Sequence, residues 1–315
     1  MRHRLLPWVA AAALAIVPVT ASAMQAETAT EQPVFRSGVE LVTVSATVRD
    51  SRGRLVKGLE AEDFEVIDNG RPRPITEFRT EDAPVSLAVL FDVSGSMDVA
   101  ERMSAARFAA RHLLGQLVPG RDEAALFAFD SRLQVVAPFT VDTRTLTGAL
   151  GEVDPFGATS LHDAVAEAAR QVADRPAPRR AVVVLTDGVD TASRLTAAEV
   201  SGIAASIDVP IYVIATVSAI DDPDSPRALR SREAAPDRAS LEDLARWTGG
   251  ALFYSSSPGR STEAAVKVVE ELRHAYLIAF PPGDAEGWHP IEVRTRDKDL
   301  TVRARGGYMA GRDSW

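Results

Sequence analysis

Three short stretches carry side-chain oxygens at spacings that suit cation chemistry. VSLAVLFDVSGSMD (85–98) runs from apolar residues into Asp92, Ser94 and Ser96. GATSLHDA (157–164) holds Thr159, and AVVVLT (181–186) leads directly into Asp187 and Gly188. Pooled, the set is two carboxylates and three hydroxyls, with no thiolate and no required imidazole. Hard oxygen donors select a hard cation, Mg²⁺ first with Mn²⁺ or Ca²⁺ as alternatives, over zinc or copper. Neutral hydroxyls as direct ligands leave much of a divalent charge uncompensated, so an open coordination position attracts a carboxylate from outside. Asp92, Ser94, Ser96, Thr159 and Asp187 are therefore the candidate metal-holding residues.

Each stretch alone has a plainer reading. Asp and Ser cap helices by accepting backbone N–H bonds, and Ser96 or Asp98 can cap the helix that follows. It is the conjunction of three loops, each leaving a strand end or entering a helix, that points to a shared ion. Asp190, in TDGVDTAS, reads as a solvated loop acid, and His162 as an exposed residue in the first turn of a helix. A hydrolase built on Ser94, Ser96 and His162 is the enzymatic rival. The serines, however, do not lie in G-x-S-x-G, and a metal-ligating serine is a poor nucleophile. His112, His274 and His289 sit in no zinc-ligand spacing, and no phosphate-cradling glycine loop occurs. Catalysis is not expected. A second rival is an exported scaffold whose metal only stabilises the loops.

The elements that must position these residues follow from periodicity. VSLAVLF, AVVVLT and IYVIATV (211–217) are continuous apolar runs, as expected of strands covered on both faces. Between them lie amphipathic patterns: a helix from about Asp98 to Leu117, one around 142–153, one carrying Leu161, Val165, Ala168 and Val172, and one over 196–207. Strands AALFAF and LQVVAPF follow the first helix. Helices near 239–247 and 261–274 flank the strand ALFY, and 218–240 reads as a surface loop. This alternation predicts an α/β fold with a doubly wound, mostly parallel sheet, in which ligands sit at the carboxyl ends of the strands.

The ends of the chain read differently. VELVTVSATV (39–48), FEVID and PITEFRT precede the α/β unit, with Asn69-Gly70 as a hairpin turn; AYLIAF, HPIEVRT and LTVRARGGY follow it. Three strands standing alone at each end would leave open edges and half a core. Residues 34–82 and 274–315 are therefore expected to pair into one β-sandwich, with the α/β unit of 83–273 inserted between them.

Residues 1–23 read as an export signal: Arg2 and Arg4, an apolar stretch to Val19, then Ala21-Ser22-Ala23 as a cleavage site. Residues 24–33 form a polar leader. A periplasmic or secreted location is expected, with no membrane span after signal removal. The chain has 315 residues, 46% of them hydrophobic, a formal charge of −9 and no cysteine. Disulfides are excluded, and no Lys/Arg cluster tracks a phosphate backbone, so nucleic acid is not an expected partner.

With those residues in view, the central unit resembles a von Willebrand factor A domain, and the oxygen set resembles its metal-ion-dependent adhesion site. The family's D-x-S-x-S stands here as Asp92-Val93-Ser94-Gly95-Ser96, its threonine as Thr159, and its last aspartate as Asp187. The resemblance implies direct ligation by the serines, ligation by the threonine when a partner is engaged, aspartates acting often through water, and a protein partner presenting a Glu or Asp carboxylate. The flanks, VRDSRGRLVKGLEAEDFEVIDNGRPRPITEF and WHPIEVRTRDKDLTVRARGGY, resemble the VWFA-related acidobacterial-type family of exported bacterial proteins.

Overall fold

Strand β5 (Val85–Asp92) is buried at every position, as are β6 (Glu123–Phe129) and β9 (Ile211–Thr216). In the computed structural model these strands lie in one six-stranded sheet with β7 (Leu133–Thr140), β8 (Arg179–Thr186) and β10 (Leu252–Ser255), in the order β10-β9-β8-β5-β6-β7. All neighbours are parallel except β6 and β7. The structure describes residues 41–98, 102–151, 157–188, 190–218, 222–223 and 236–311. The expected export signal and leader, and most of the 218–240 loop, lie outside the described residues. By its contacts the chain parts into Met1–Gly38 and Val39–Trp315, and everything described belongs to the second unit.

Alternating residues of a strand point to opposite faces, and both faces of this sheet are covered. On one side Leu87, Val89 and Phe91 pack against Met103, Ala106, Ala110 and Leu113 of α1 (Arg102–Gly115) and Ala265 and Val268 of α6 (Pro258–His274). Leu146 of α2 (Thr143–Ala149) joins them. On the other side Ala88 and Leu90 meet Leu161, Val165 and Ala168 of α3 (Leu161–Ala173), Val200 of α4 (Ala197–Ser206), and Leu241 and Leu244 of α5 (Pro236–Thr248). Each large apolar side chain so buried contributes about 1.5–3 kcal/mol relative to exposure. The α/β expectation holds. Of the first helix, expected from about Asp98 to Leu117, Arg102–Gly115 is described, and residues 99–101 lie outside the described residues. Before it, Met97 N–H donates to the Ser94 carbonyl at 3.0 Å, and Gly95–Asp98 forms a 3-10 turn instead.

The order of the strands matters for function. From β5 the chain winds outward through β6 and β7, then returns to β8 on the other flank of β5 and winds through β9 to β10. The reversal falls between β5 and β8, so the crevice beyond their carboxyl ends is the natural ligand position. Asp92 closes β5 and Asp187 directly follows β8.

Strands from the two ends of the chain pair with one another at the opposite pole of the sheet. The first four are β1 (Val42–Arg49), β2 (Phe64–Asp68), β3 (Arg71–Arg73) and β4 (Glu77–Arg79). The last four are β11 (Tyr276–Phe280), β12 (Gly287–Thr295), β13 (Thr301–Ala304) and β14 (Gly307–Ala310). They form two four-stranded sheets, β13-β1-β11-β4 and β14-β12-β2-β3, which share an apolar cluster containing Val44, Val48, Val66, Ile278 and Val293. Asn69 and Gly70 both take positive φ, 50° and 77°, and turn β2 into β3 as a type I′ hairpin requires. Two expected strands are redrawn. RPR (71–73) is a strand of its own at a sheet edge, where Pro72 leaves no central ladder bond unmade, and PITEFRT contributes only Glu77–Arg79. LTVRARGGY splits at Arg305-Gly306 into strands of different sheets, because Gly306 N–H donates to the Trp247 carbonyl at 2.9 Å instead of continuing the ladder.

Candidate metal centre

Asp92 is wholly buried, and both its oxygens are engaged by its own surroundings. Oδ1 accepts the Ser94 N–H at 2.9 Å, and Oδ2 accepts the Thr186 hydroxyl at 2.5 Å. The first bond folds the D-x-S turn back on itself; the second ties the ends of β5 and β8 together. Gly188 N–H donates in turn to the Thr186 hydroxyl at 3.0 Å. Ser94 is 1% exposed, and its hydroxyl lies 3.0 Å from that of Ser96, so the two converge rather than diverge. The Ser96 side chain is thus turned toward Ser94.

The Thr159 loop reaches the same place by backbone bonds. Gly95 N–H donates to the Gly157 carbonyl at 3.1 Å, and Ser160 N–H to the Asp130 carbonyl at 2.7 Å. Gly157 has φ 99°, a backbone conformation that side-chain-bearing residues rarely adopt, so glycine suits this turn. Thr159 is 3% exposed; its N–H donates to the Thr191 hydroxyl at 3.0 Å, and its carbonyl accepts from the N–H groups of Thr191 and Ala192.

Asp187 completes the set. Its Oδ2 accepts from Arg102 Nη1 at 2.9 Å, while its Oδ1 is buried and has no hydrogen-bond partner among the described residues. Arg102 Nη1 also reaches the Ser96 carbonyl at 3.3 Å. A buried carboxylate oxygen left unpaired costs about 1–3 kcal/mol or more. Among the described residues no three carboxylate, imidazole or thiolate side chains gather as a ligand group, so any ion here must draw on the hydroxyls. Asp92, Asp187, Ser94 and Ser96 offer that hard-oxygen chemistry, and the loop carrying Thr159 is bonded to theirs. Burial pushes the Asp92 carboxyl up to about 6, with the charge of Asp187 adding to the rise, against hydrogen bonds from Ser94 and Thr186. A positive charge at this position reverses that penalty.

Several residues of the site escaped the sequence. Asp190 is not a free loop acid: its Oδ2 accepts the His162 backbone N–H at 3.0 Å and lies 3.1 Å from the ring Nδ1, and its Oδ1 accepts from the N–H groups of Ala192 and Ser193. Burial works against ionisation there, but the bonds from Ser193 and His162 hold its carboxyl below the usual range. His162, expected to be exposed, is largely covered, and its Nε2 lies 3.4 Å from the Ser240 hydroxyl. Arg102 and Thr186 carried no signal beyond their places in a helix and a strand. The one available hint was the dense run of hydroxyls and acids in TDGVDTAS.

Residues 87–189 match the family model of the von Willebrand factor type A domain, so the central unit carries a domain of that type. An uncharacterized protein of Borreliella burgdorferi is 26% identical over 198 residues, spanning 59% of this chain and 58% of the relative's length. Among solved structures, the conserved hypothetical protein BatB from Bacteroides thetaiotaomicron aligns over 59% of this chain and 98% of its own, at 18% identity and a TM-score of 0.48. A von Willebrand factor type A structure from Catenulispora acidiphila aligns over 88% of this chain and 75% of its own, at 14% identity and a TM-score of 0.49.

Proposed function

We propose that the von Willebrand factor type A domain of this chain is a metal-dependent interaction module. It binds a divalent cation, Mg²⁺ with Mn²⁺ or Ca²⁺ as alternatives, and through it a Glu or Asp side chain of a protein partner. Domains of this type generally serve protein interactions, and the single observation that carries the finer reading is the buried Oδ1 of Asp187, without a partner among the described residues, beside Asp92 and the converging Ser94 and Ser96 hydroxyls. Asp92 and Asp187 supply the charge, Ser94 and Ser96 supply neutral oxygens, and Thr159 adds a hydroxyl from the third loop. A divalent ion in that setting supplies Lewis acidity left partly unquenched by its neutral ligands, which is what a partner's carboxylate answers. Thr186 and Arg102 act on the carboxylates: Thr186 orients Asp92 through Oδ2, and Arg102 holds Asp187 by Oδ2 with Oδ1 left free.

The export reading belongs to the same proposal and places the partner in the periplasm or outside the cell. Among the described residues no helix is long and apolar enough to cross a membrane. A hydrolase built on Ser94 and Ser96 is not proposed, since the ring nitrogens of His162 face Asp190 and Ser240 rather than those serines. Calorimetric titration with Mg²⁺ and Mn²⁺ tests the cation, and selection against a peptide library, in Mg²⁺ and in chelator, tests the ligand. Wild type is expected to take up metal and to select acidic peptides only with it; Asp92→Ala and Ser96→Ala should lose both while keeping the fold by circular dichroism. Peptide selection unchanged in chelator would refute the mechanism. Metal that raises the melting temperature without any acidic selection would favour the scaffold reading.

A further inference from the structure

Two of the large apolar side chains left exposed are tryptophans, and both rest on one dipeptide. Trp247, at the end of α5, is 46% exposed, and Trp288, on β12, is 42% exposed. A Cβ added to Gly306 would lie 2.5 Å from the Trp247 ring, and one added to Gly307 would lie 2.3 Å from the Trp288 ring. Only glycine lets the two indoles approach the backbone so closely. Each is held in place yet open to solvent.

Beside them stands the outer face of the sheet β14-β12-β2-β3. His289, Ile291 and Val293 are buried, so Trp288, Pro290, Glu292 and Arg294 point outward. A groove of about 890 Å³ runs between Trp247 and Ile67, Pro290, Glu292 and Arg294, within the range of about 300–1,000 Å³ usual for ligand sites. The chemistry of its walls selects the occupant. Arg246 lies 5.6 Å over the Trp247 ring and pairs with Asp243 at 2.7 Å, and Arg294 pairs with Glu292, both members more than half exposed. Each guanidinium in the walls is thus answered by a carboxylate, and no surplus of positive charge calls for an anionic lipid or an acidic peptide. An extended peptide finds no open ladder on β12, which is bonded on both sides, to β14 and to β2. Indole surface remains, next to hydrogen-bonding groups that are neutral as pairs. A sugar ring matches both: its C–H face lies on an indole, and its hydroxyls both donate to carboxylate and accept from guanidinium.

We propose that this groove binds a neutral oligosaccharide, a chain of hexose or N-acetylhexosamine units laid across Trp247 and Trp288. The inference is independent of the metal centre. Calorimetric titration of the full chain with chitohexaose, cellohexaose and maltohexaose tests it, in chelator and in Mg²⁺. At least one of the three should bind, equally in both. Trp247→Ala and Trp288→Ala should each weaken that binding by about tenfold or more, with circular dichroism unchanged. Oxidation of the wild type by N-bromosuccinimide gives a second reading that stands even if a variant does not fold, because the bound sugar should protect both indoles. Binding of none of the three, binding undiminished in both tryptophan variants, or indoles that oxidise equally fast with and without sugar would overturn the proposal. Capture by phosphatidylglycerol vesicles, or self-association, that is lost in the same variants would also overturn it, assigning the face to a lipid surface or to a second copy of the chain.

Discussion

Asp92 has no exposed surface, and its carboxylate must be ionised to hold a cation yet is disfavoured as an anion by its burial. The sign of the resulting pH dependence follows. Its pKa in the fold, about 6, lies above the ordinary 3.8, so without metal the folded state holds the proton more tightly than the unfolded chain does. Metal-free stability therefore falls as pH climbs from about 4 to about 6, by on the order of 3 kcal/mol from this group. Cation affinity moves the other way, rising over the same window because proton and metal compete for one carboxylate. Urea unfolding between pH 4 and pH 7, in chelator and in Mg²⁺, should show the fall in chelator and its suppression by Mg²⁺. Asp92→Asn should remove the difference, leaving only the opposite slope from carboxylates such as Glu123, which the Arg175 guanidinium holds below its usual range.

At the scale of elements, the Thr159 loop is held by a neighbour that no local pattern announces. Asp190 accepts backbone N–H groups from the first turn of α3 and from its own loop, and so aligns residues 159–162 with 190–193. Asp190→Ala should reduce stability by about 1–3 kcal/mol through those orphaned donors. It should also weaken metal-dependent peptide capture, with circular dichroism unchanged; full capture in Asp190→Ala would show that Thr159 needs no such support. The contrast with what the sequence discloses is instructive. AVVVLT and IYVIATV are legible because a strand covered on both faces must be apolar throughout, and the five candidate residues are nameable because each stands near where a strand ends or a helix begins. Arg102, Thr186 and Asp190 act only once distant loops meet, so their roles reside in the tertiary fold. Short edge strands fail for another reason: RPR is too short and too polar to show period-two alternation, and LTVRARGGY alternates well while changing sheets in its middle. Open edges hint that the two ends of the chain pair, but which strand lies beside which is set by packing alone.

The molecule as a whole depends on how firmly the end sheets are seated on the parallel sheet, and Glu271 is the acid at the centre of that contact. It lies on α6, an element of the α/β layer, while its partners Arg49 and Arg303 belong to β1 and β13, adjacent strands that come from opposite ends of the chain. Three separate segments therefore converge on one carboxylate that is 1% exposed. Close backbone contact reinforces the joint: Gly249, at the end of α5, has φ 83°, and a Cβ there would lie 2.8 Å from the Arg305 nitrogen. Removing one member of a buried charge group leaves the others uncompensated, at a cost of about 3–5 kcal/mol. Glu271→Ala would leave two guanidiniums without their shared carboxylate, so the loss should fall near the upper end of that range. The damage is confined to the joint and spares the apolar cores, so scanning calorimetry should show one transition for the wild type and two for Glu271→Ala, the end sheets melting first. Glu271→Gln, which keeps the volume and one acceptor but not the charge, should fall between the two proteins. One cooperative transition at the wild-type temperature in Glu271→Ala would mean that apolar contact alone seats the sheets.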